Sequence, residues 1–567
     1  MNEKEIEKTS IWCLYEKMRN FNNLMNVYAD TDRNYRMYNG DQWYGLKVEG
    51  VETVSLNIIK PIVKYKLSVI HSNDYAINYS AENIDNPQFK EIAVKTCELL
   101  NKKARKVWEK DRFDKKLRKY TKDSAINDEG VIYTDYDTET NMPINEIIYK
   151  NDVGYGNENS DEIQTQPYII IRQRKPISEV QNIALKKGVS KKKLEYIVGD
   201  NDNYDATGDD SQYEVNDMCW LVTKMWKKDG QVWFAQATKF VDITKPTNTR
   251  LTLYPLVHMP WEEKPGYSRG VGEVRQLISN QLEINKTMMR RVLVAKNTAY
   301  PQKVVNIAKV RNPQAINRVG ATIETESQDV EDVRKIFSTT TPAQMSTDVE
   351  KVQNELISTT RELAGAGDIA TGEVNPESAS GKAILAVQNA SKQPMTEQLE
   401  TLKDSIDQLA KIWLDMWKTY AVDGLMIENE TTDELTGQTT TELVQIPYEV
   451  LEQLQADVKV DITPRSPFDK YAQEMSIENM LKAGYFNNQK LSELEVYVSL
   501  LEDDSSMPKT KLEEAIKIMK AKQERISQIN SQAQTLQMMA NKFVGEQQDI
   551  TAMGQMGTEM YNQAMAQ

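Results

Sequence analysis

Two histidines and three cysteines in 567 residues leave several kinds of chemistry without the side chains they need. His71 and His258 are far apart in the chain, which argues against a histidine-built zinc site and against a histidine-based triad. Both read as ordinary packed or surface residues, one ending an apolar helical run and the other inside the strand-like YPLVHMPW. Cys13, Cys97 and Cys219 show no CxxC spacing and read as reduced thiols of a cytosol-like compartment. No run of about 18 apolar residues occurs, so no bilayer span and no membrane partner is expected. The opening MNEKEIEKTSIW has no apolar core of a secretion signal. Basic charge is not in excess either: 70 Lys and Arg stand against 84 Asp and Glu, a net charge of −14. Such a chain is not expected to grip nucleic acid tightly as a whole, although DNA could still move past it.

What is present describes a soluble globular or assembly protein, 40% apolar and 27% charged, long enough for three or four domains. Residues 1–30 predict one helix with Ile11, Leu14, Tyr15, Met18, Phe21, Met25 and Tyr28 on a stripe. An aromatic cluster, 35–45, contains a turn at Asn39-Gly40. Helices are expected over 56–71, with Pro61 in the first turn, and over 87–129. From 130 to 265 the runs VIYTDYD, PYIIIRQ, MCWLVTKMWKK, QVWFAQAT and TLYPLVHM predict strands, interrupted by a helix at 177–198. The segment 199–217 is rich in Asp and opens like a calcium loop. Tyr204 and Asp205 replace the oxygen ligand and the turn glycine such a loop requires, so it reads as a solvated connection.

Helical periodicity returns from 268, where Val274, Ile278, Leu282, Met289 and Val292 share a face. Short strands and turns follow over 300–341, then a helix at 342–363. The longest helix is expected over 380–420, with Met395, Leu399, Leu402, Ile406, Leu409, Trp413, Met416 and Tyr420 in 4-3-4-3 steps and a kink near Pro394. A stripe that long suggests partner helices in a layered assembly. The strand-like ADVKVDITPRS and helices at 467–484, 490–503 and 508–550 complete the chain.

Ser380-Gly381-Lys382 is close to a nucleotide-binding loop, which would make the protein an ATPase or GTPase. The loop needs glycine where Pro376 stands and Ser or Thr where Ala383 stands, and it should follow a buried strand. Glu373 and Glu377 would also repel phosphates, so the segment is read as an acidic connection whose following helix is capped by Ser378 or Ser380. No catalytic site, cofactor or metal is expected.

Four stretches carry a resemblance: Tyr38-Asn-Gly-Asp-Gln-Trp43; Asn57 with IIKPIVKYKLSVI; residues 254–285, with Gln281 and Asn285 at Q-x-x-x-N spacing; and residues 378–413. In this order, and nearly along the whole chain, they resemble the portal (head-to-tail connector) proteins of tailed bacteriophages. The resemblance implies an α+β, mainly α, multidomain subunit. Its parts would be a wing at 1–267, a stem helix at 268–299, a clip at 300–341 and a second stem helix at 342–363. A tunnel loop at 364–380, a long kinked tunnel helix with a return strand at 381–466, and a helical crown or barrel at 467–567 would follow. It also implies a homo-oligomeric ring, usually of twelve subunits, at the portal vertex of the virion, assembled in the host cytoplasm.

Double-stranded DNA would pass through the ring during packaging and ejection without sequence-specific binding. The DNA channel would be lined by Asp368, Thr371, Glu373, Asn375, Glu377, Ser378, Ser380 and Lys382. The clip, with Lys303, Asn306, Lys309, Arg311, Asn317 and Arg318, would dock the large terminase and later the head-tail adaptor. The stem would present Arg275, Gln281, Asn285, Arg290 and Arg291, and the major capsid and scaffolding proteins would surround the ring. The alternative reading is a non-viral oligomeric helical scaffold or adaptor.

Overall fold

The computed structural model describes residues 7–46, 52–81, 87–199, 217–299, 303–318, 320–325, 336–339, 347–367, 393–432, 439–454 and 456–464, with a few isolated positions beyond. The chain divides into two compact units, Met1–Thr463 and Pro464–Gln567. The fold of the first is mixed α+β and mainly helical. The helices expected after 467, the 199–217 segment except its ends, and most of the acidic connection fall outside the described residues.

The N-terminal helical stretch is two helices, α1 (Ser10–Leu24) and α2 (Val27–Asn39), in place of one. Asn26 takes a left-handed φ of 58° between them, a conformation Asn tolerates better than most side chains. Thr9 caps α1 by accepting from the Trp12 amide at 3.3 Å. The aromatic cluster starts in the last turns of α2 and continues past it to Trp43 and Tyr44, and the turn comes at Gly40, whose φ of 94° ends the helix. Next come α3 (Ile59–Ile70) and strand β1 (Asn73–Ser80). The single helix expected over 87–129 is broken at Arg112 (φ 49°) into α4 (Pro87–Lys110) and α5 (Phe113–Asn127). That break lets Phe113 turn inward against Trp108 and Trp413.

Two antiparallel sheets follow. Strands β2 (Glu129–Asp137) and β3 (Met142–Ile148) form a hairpin, and β9 (Leu256–Pro260) lies on the other edge of β2, giving the order β3-β2-β9. The second sheet runs β4 (Val153–Tyr155), β5 (Ile169–Pro176), β6 (Met218–Lys228), β7 (Gln231–Ala237) and β8 (Asp242–Asn248) in chain order. Alternation along β6 explains why both its faces are buried. Cys219 and Leu221 pack under α6 (Ile177–Lys186), while Trp220 and Val222 lie under Trp12 and Tyr15 of α1. A short helix, α7 (Lys191–Leu194), follows α6.

The chain then forms α8 (Glu273–Ala299), a small ribbon of β10 (Lys303–Val305) with β11 (Phe337–Thr339), and α9 (Thr347–Leu363). Gln393–Met395 is a 3-10 turn containing Pro394, and a new helix, α10 (Thr396–Tyr420), starts directly after it. Residues 380–392 of the expected helix lie outside the described residues; the described part begins with the turn at Pro394, whose ring leaves no amide to donate. The 4-3-4-3 stripe of α10 does not await partner helices. Leu402, Ile406, Leu409, Trp413 and Met416 are buried in the main core of the same unit, against β1, β2 and β9. The hairpin β12 (Leu425–Thr432) and β13 (Thr439–Ile446), helix α11 (Tyr448–Gln453) and strand β14 (Asp457–Pro464), paired with β1, close the unit.

Candidate functional site

The residues singled out from separate stretches meet at the base of α8. Gln281 and Asn285, four apart, project from one helical face and are both fully buried. Gln281 Oε1 accepts the backbone amides of Ile58 (2.9 Å) and Ile59 (3.3 Å), while its Nε2 donates to the Leu56 carbonyl at 2.7 Å. Asn285 Oδ1 accepts the Leu56 amide at 2.9 Å, and its Nδ2 donates to Gln42 Oε1. Gln42 in turn donates to the Met37 carbonyl, Asn57 Nδ2 to the Tyr38 carbonyl, and the Trp43 indole to the Val54 carbonyl. The Asn57 side chain also accepts the Lys60 amide, capping α3 in its first turn. Two side-chain amides thus satisfy an irregular backbone stretch that would otherwise be buried without partners. Gln281 and Asn285, expected among the residues of the stem helix, are thus buried on the side of α8 that holds residues 56–59.

More than two turns earlier, at the start of α8, lies a cluster of charge that the sequence reading did not find. Arg269, fully buried, donates to Glu129 Oε1 at 2.6 Å, to both Glu158 oxygens, and to the carbonyls of Lys150 and Val153. Glu129 Oε2 sits 2.9 Å from His258 Nε2 and accepts from the Tyr155 hydroxyl. Lys150 pairs with Asp128 at 2.6 Å, and the other Asp128 oxygen accepts the Gly272 amide. Lys66 pairs with Glu273 at 2.6 Å, which also accepts from the Trp261 indole. Burial pushes the Glu129 carboxyl up, but Arg269, His258 and Lys150 together pull it below its ordinary range. Burial likewise opposes the charge on Arg269, and its carboxylate partners outweigh it and raise its pKa. Gly270, at φ +67°, passes between Pro260 and Glu262, where a Cβ would lie 2.6 Å from the Pro260 side chain and 2.7 Å from the Glu262 carbonyl. The packing signal in SRGVGE was its two closely spaced glycines, which mark close backbone approach.

The two histidines serve structure. His258 belongs to this cluster, and burial lowers the His71 pKa to about 4, with Arg118 adding to the shift. The three cysteines are free thiols. Among the described residues no group of His, Cys, Asp and Glu could hold a metal, and no helix is long and apolar enough to cross a membrane.

Beyond the base, α8 runs antiparallel to α9. Asn280 Nδ2 donates to Thr360 Oγ1 at 3.1 Å, and Arg291 reaches Gln353 (2.7 Å) and Glu350 (3.2 Å). Arg275 lies 3.4 Å from Asp30, while Arg290 is exposed beside Glu283. At the far end, Lys303, Asn306, Lys309, Arg311 and Arg318 all have exposed side chains. Their backbones are tied by β10–β11 pairing, by the Asn306 amide to the Ile336 carbonyl, and by the Arg311 amide to the Glu324 carbonyl. Asn317 ends the 3-10 turn Pro313–Asn317. Asp368, Thr371, Glu373, Asn375, Glu377, Ser378, Ser380 and Lys382 lie outside the described residues.

Taken together, these features give a helix pair mounted on a sheet-and-helix body through a buried, internally hydrogen-bonded joint. The family profile of the Phage P22-like portal protein matches residues 173–567, and the chain belongs to that phage portal protein family. No curated protein matches the chain.

Proposed function

We propose that the chain assembles into a closed ring, of twelve copies, at one vertex of a phage capsid. Double-stranded DNA passes through its centre during packaging and ejection. Family membership over 173–567, a span that contains α8, the ribbon and α9, is the observation that carries this reading. It does not favour the non-viral scaffold alternative.

In this reading α8 and α9 are the stem, the β10–β11 ribbon with its exposed basic side chains is the clip that docks the terminase and later the adaptor, and 364–380 is the tunnel loop. The body on which the stem stands is the wing, and 467–567 is the crown. Major capsid and scaffolding proteins contact the outside of the ring. Asp368, Glu373 and Glu377 give the loop three negative charges and no positive one. Repeated around a ring, they would repel a duplex bearing one charge per ~1.7 Å and so let it slide without sticking. The buried joint at Arg269, Gln281 and Asn285 keeps the stem's angle to the body fixed while DNA is driven past. The work itself would come from the terminase.

The test is DNA packaging into heads built with this chain or with a variant lacking 366–378, read as nuclease-protected DNA. Wild-type packaging with a sharp loss in the ring-forming variant is expected. Equal packaging by both would remove the loop from the mechanism.

A further inference from the structure

The two outer flanks of the α8–α9 pair differ in charge. On α8, Arg275, Lys286, Arg290 and Lys296 are exposed against a single exposed acid, Glu283. On α9, Asp348, Glu355 and Glu362 are exposed against Lys351, while Glu350 faces Arg291 of α8. Position around each helix follows from about 100° per residue. Lys286 lies roughly 120–140° around α8 from Asn280 and Arg291, the residues that touch α9. Glu355 lies roughly 140–160° around α9 from Thr360 and Gln353, the residues that touch α8. Each therefore faces away from the other helix of its own chain. The contacts Asn280–Thr360 and Arg291–Gln353 also fix the height of the two helices, and place Lys286 level with Glu355. The same alignment sets partly exposed Met289 level with Val352, which is 57% exposed.

Resting on the ring reading above, we infer that the basic flank of α8 docks against the acidic flank of α9 in the next copy, with Lys286 of one copy paired to Glu355 of its neighbour. The occupant is a second copy of this chain because the complement of each flank is the opposite flank of the same helix pair, at the same height. A two-fold contact made through one flank alone would bring like charges together, basic on basic or acidic on acidic. A head-to-tail contact joins unlike flanks, leaves one of each free, and closes only as a ring. Met289 meeting Val352 beside the ion pair removes apolar surface that the single chain leaves in water.

Full-length Lys286→Glu, Glu355→Lys and the double exchange separate the possibilities. Assembly is read by native mass and negative-stain imaging, and folding of the subunit by thermal unfolding. Each single reversal should raise the concentration needed for ring formation at least tenfold without shifting subunit unfolding, and the double exchange should restore it. Rings from all three variants at the wild-type concentration, or a double exchange as defective as the singles, would overturn the pairing while leaving the ring reading intact. A wild-type chain that forms two-fold dimers or stays monomeric would overturn both.

Discussion

At its N-terminal end α8 emerges from a joint in which Arg269, Glu129, Gln281 and Asn285 are almost wholly buried and every one has hydrogen-bonding partners. At its other end the chain enters a ribbon whose Lys303, Lys309, Arg311 and Arg318 side chains are exposed. Polar residues are plentiful at both ends, but they do different work. In the joint they satisfy backbone and each other, so that geometry is fixed at the cost of desolvation. On the ribbon they stay hydrated and remain available to another surface. Residue type alone does not distinguish the two, since Arg269 and Arg311 are the same side chain. Context does: Arg269 lies over the Tyr155 ring and beside the tightly packed Gly270 and Gly272, and Arg311 lies among turn residues.

The contrast breaks most sharply at Arg269. Replacing it with Met leaves Glu129 and Glu158 facing each other without their shared cation, and should cost about 3–5 kcal/mol in chemical denaturation of the intact chain. A loss below 1 kcal/mol would mean that the cluster is not the joint described. Gln281→Ala strands the Ile58 and Ile59 amides and the Leu56 carbonyl, and about 2–3 kcal/mol is expected by the same measurement.

A smaller effect comes from His71. Its folded pKa of about 4 lies below its ordinary 6.5, because burial disfavours the cation. Between those values the unfolded chain binds the proton and the folded chain does not, so stability falls as pH drops from 6.5 toward 4. A His71→Gln variant should show a shallower decline across that window, measured by thermal unfolding at stepped pH. The smallest effect on stability belongs to the ribbon. Reversing Lys303, Lys309, Arg311 and Arg318 to Glu should change unfolding by no more than about 0.5 kcal/mol per site. If the ribbon docks the terminase, capture of that partner should be lost all the same.

Much of the fold was legible where periodicity was strong. Strands β2, β5, β6, β7 and β9 and helices α3, α6 and α8 stand close to where alternation and apolar stripes put them, and α10 (Thr396–Tyr420) is the described part of the helix expected over 380–420. The breaks at Asn26 and Arg112 were not legible, because a single left-handed residue leaves no mark on a hydrophobic pattern. The β12–β13 hairpin, whose strands are rich in Thr and Glu, lacks the apolar alternation that would have announced it. The stripe of α10 was seen, but its partners were not. They are strands distant in sequence, and a stripe says only that a face is buried.

At the joint, the residues carrying the family resemblance were visible in the sequence, but what they bond to was not. Gln281 and Asn285 look like surface polar residues until the backbone of 56–59 is laid against them. Glu129 and Arg269 are 140 residues apart, and charged side chains are read as solvent-facing unless a partner is in view.

The mass of the intact assembly tests the central claim most directly. Native mass measurement of the full chain should give one closed species, near 780 kDa for twelve copies of a 65.0 kDa subunit, about what ring closure at that number requires. A species of one or two subunits, or an open-ended series of masses, would contradict the account.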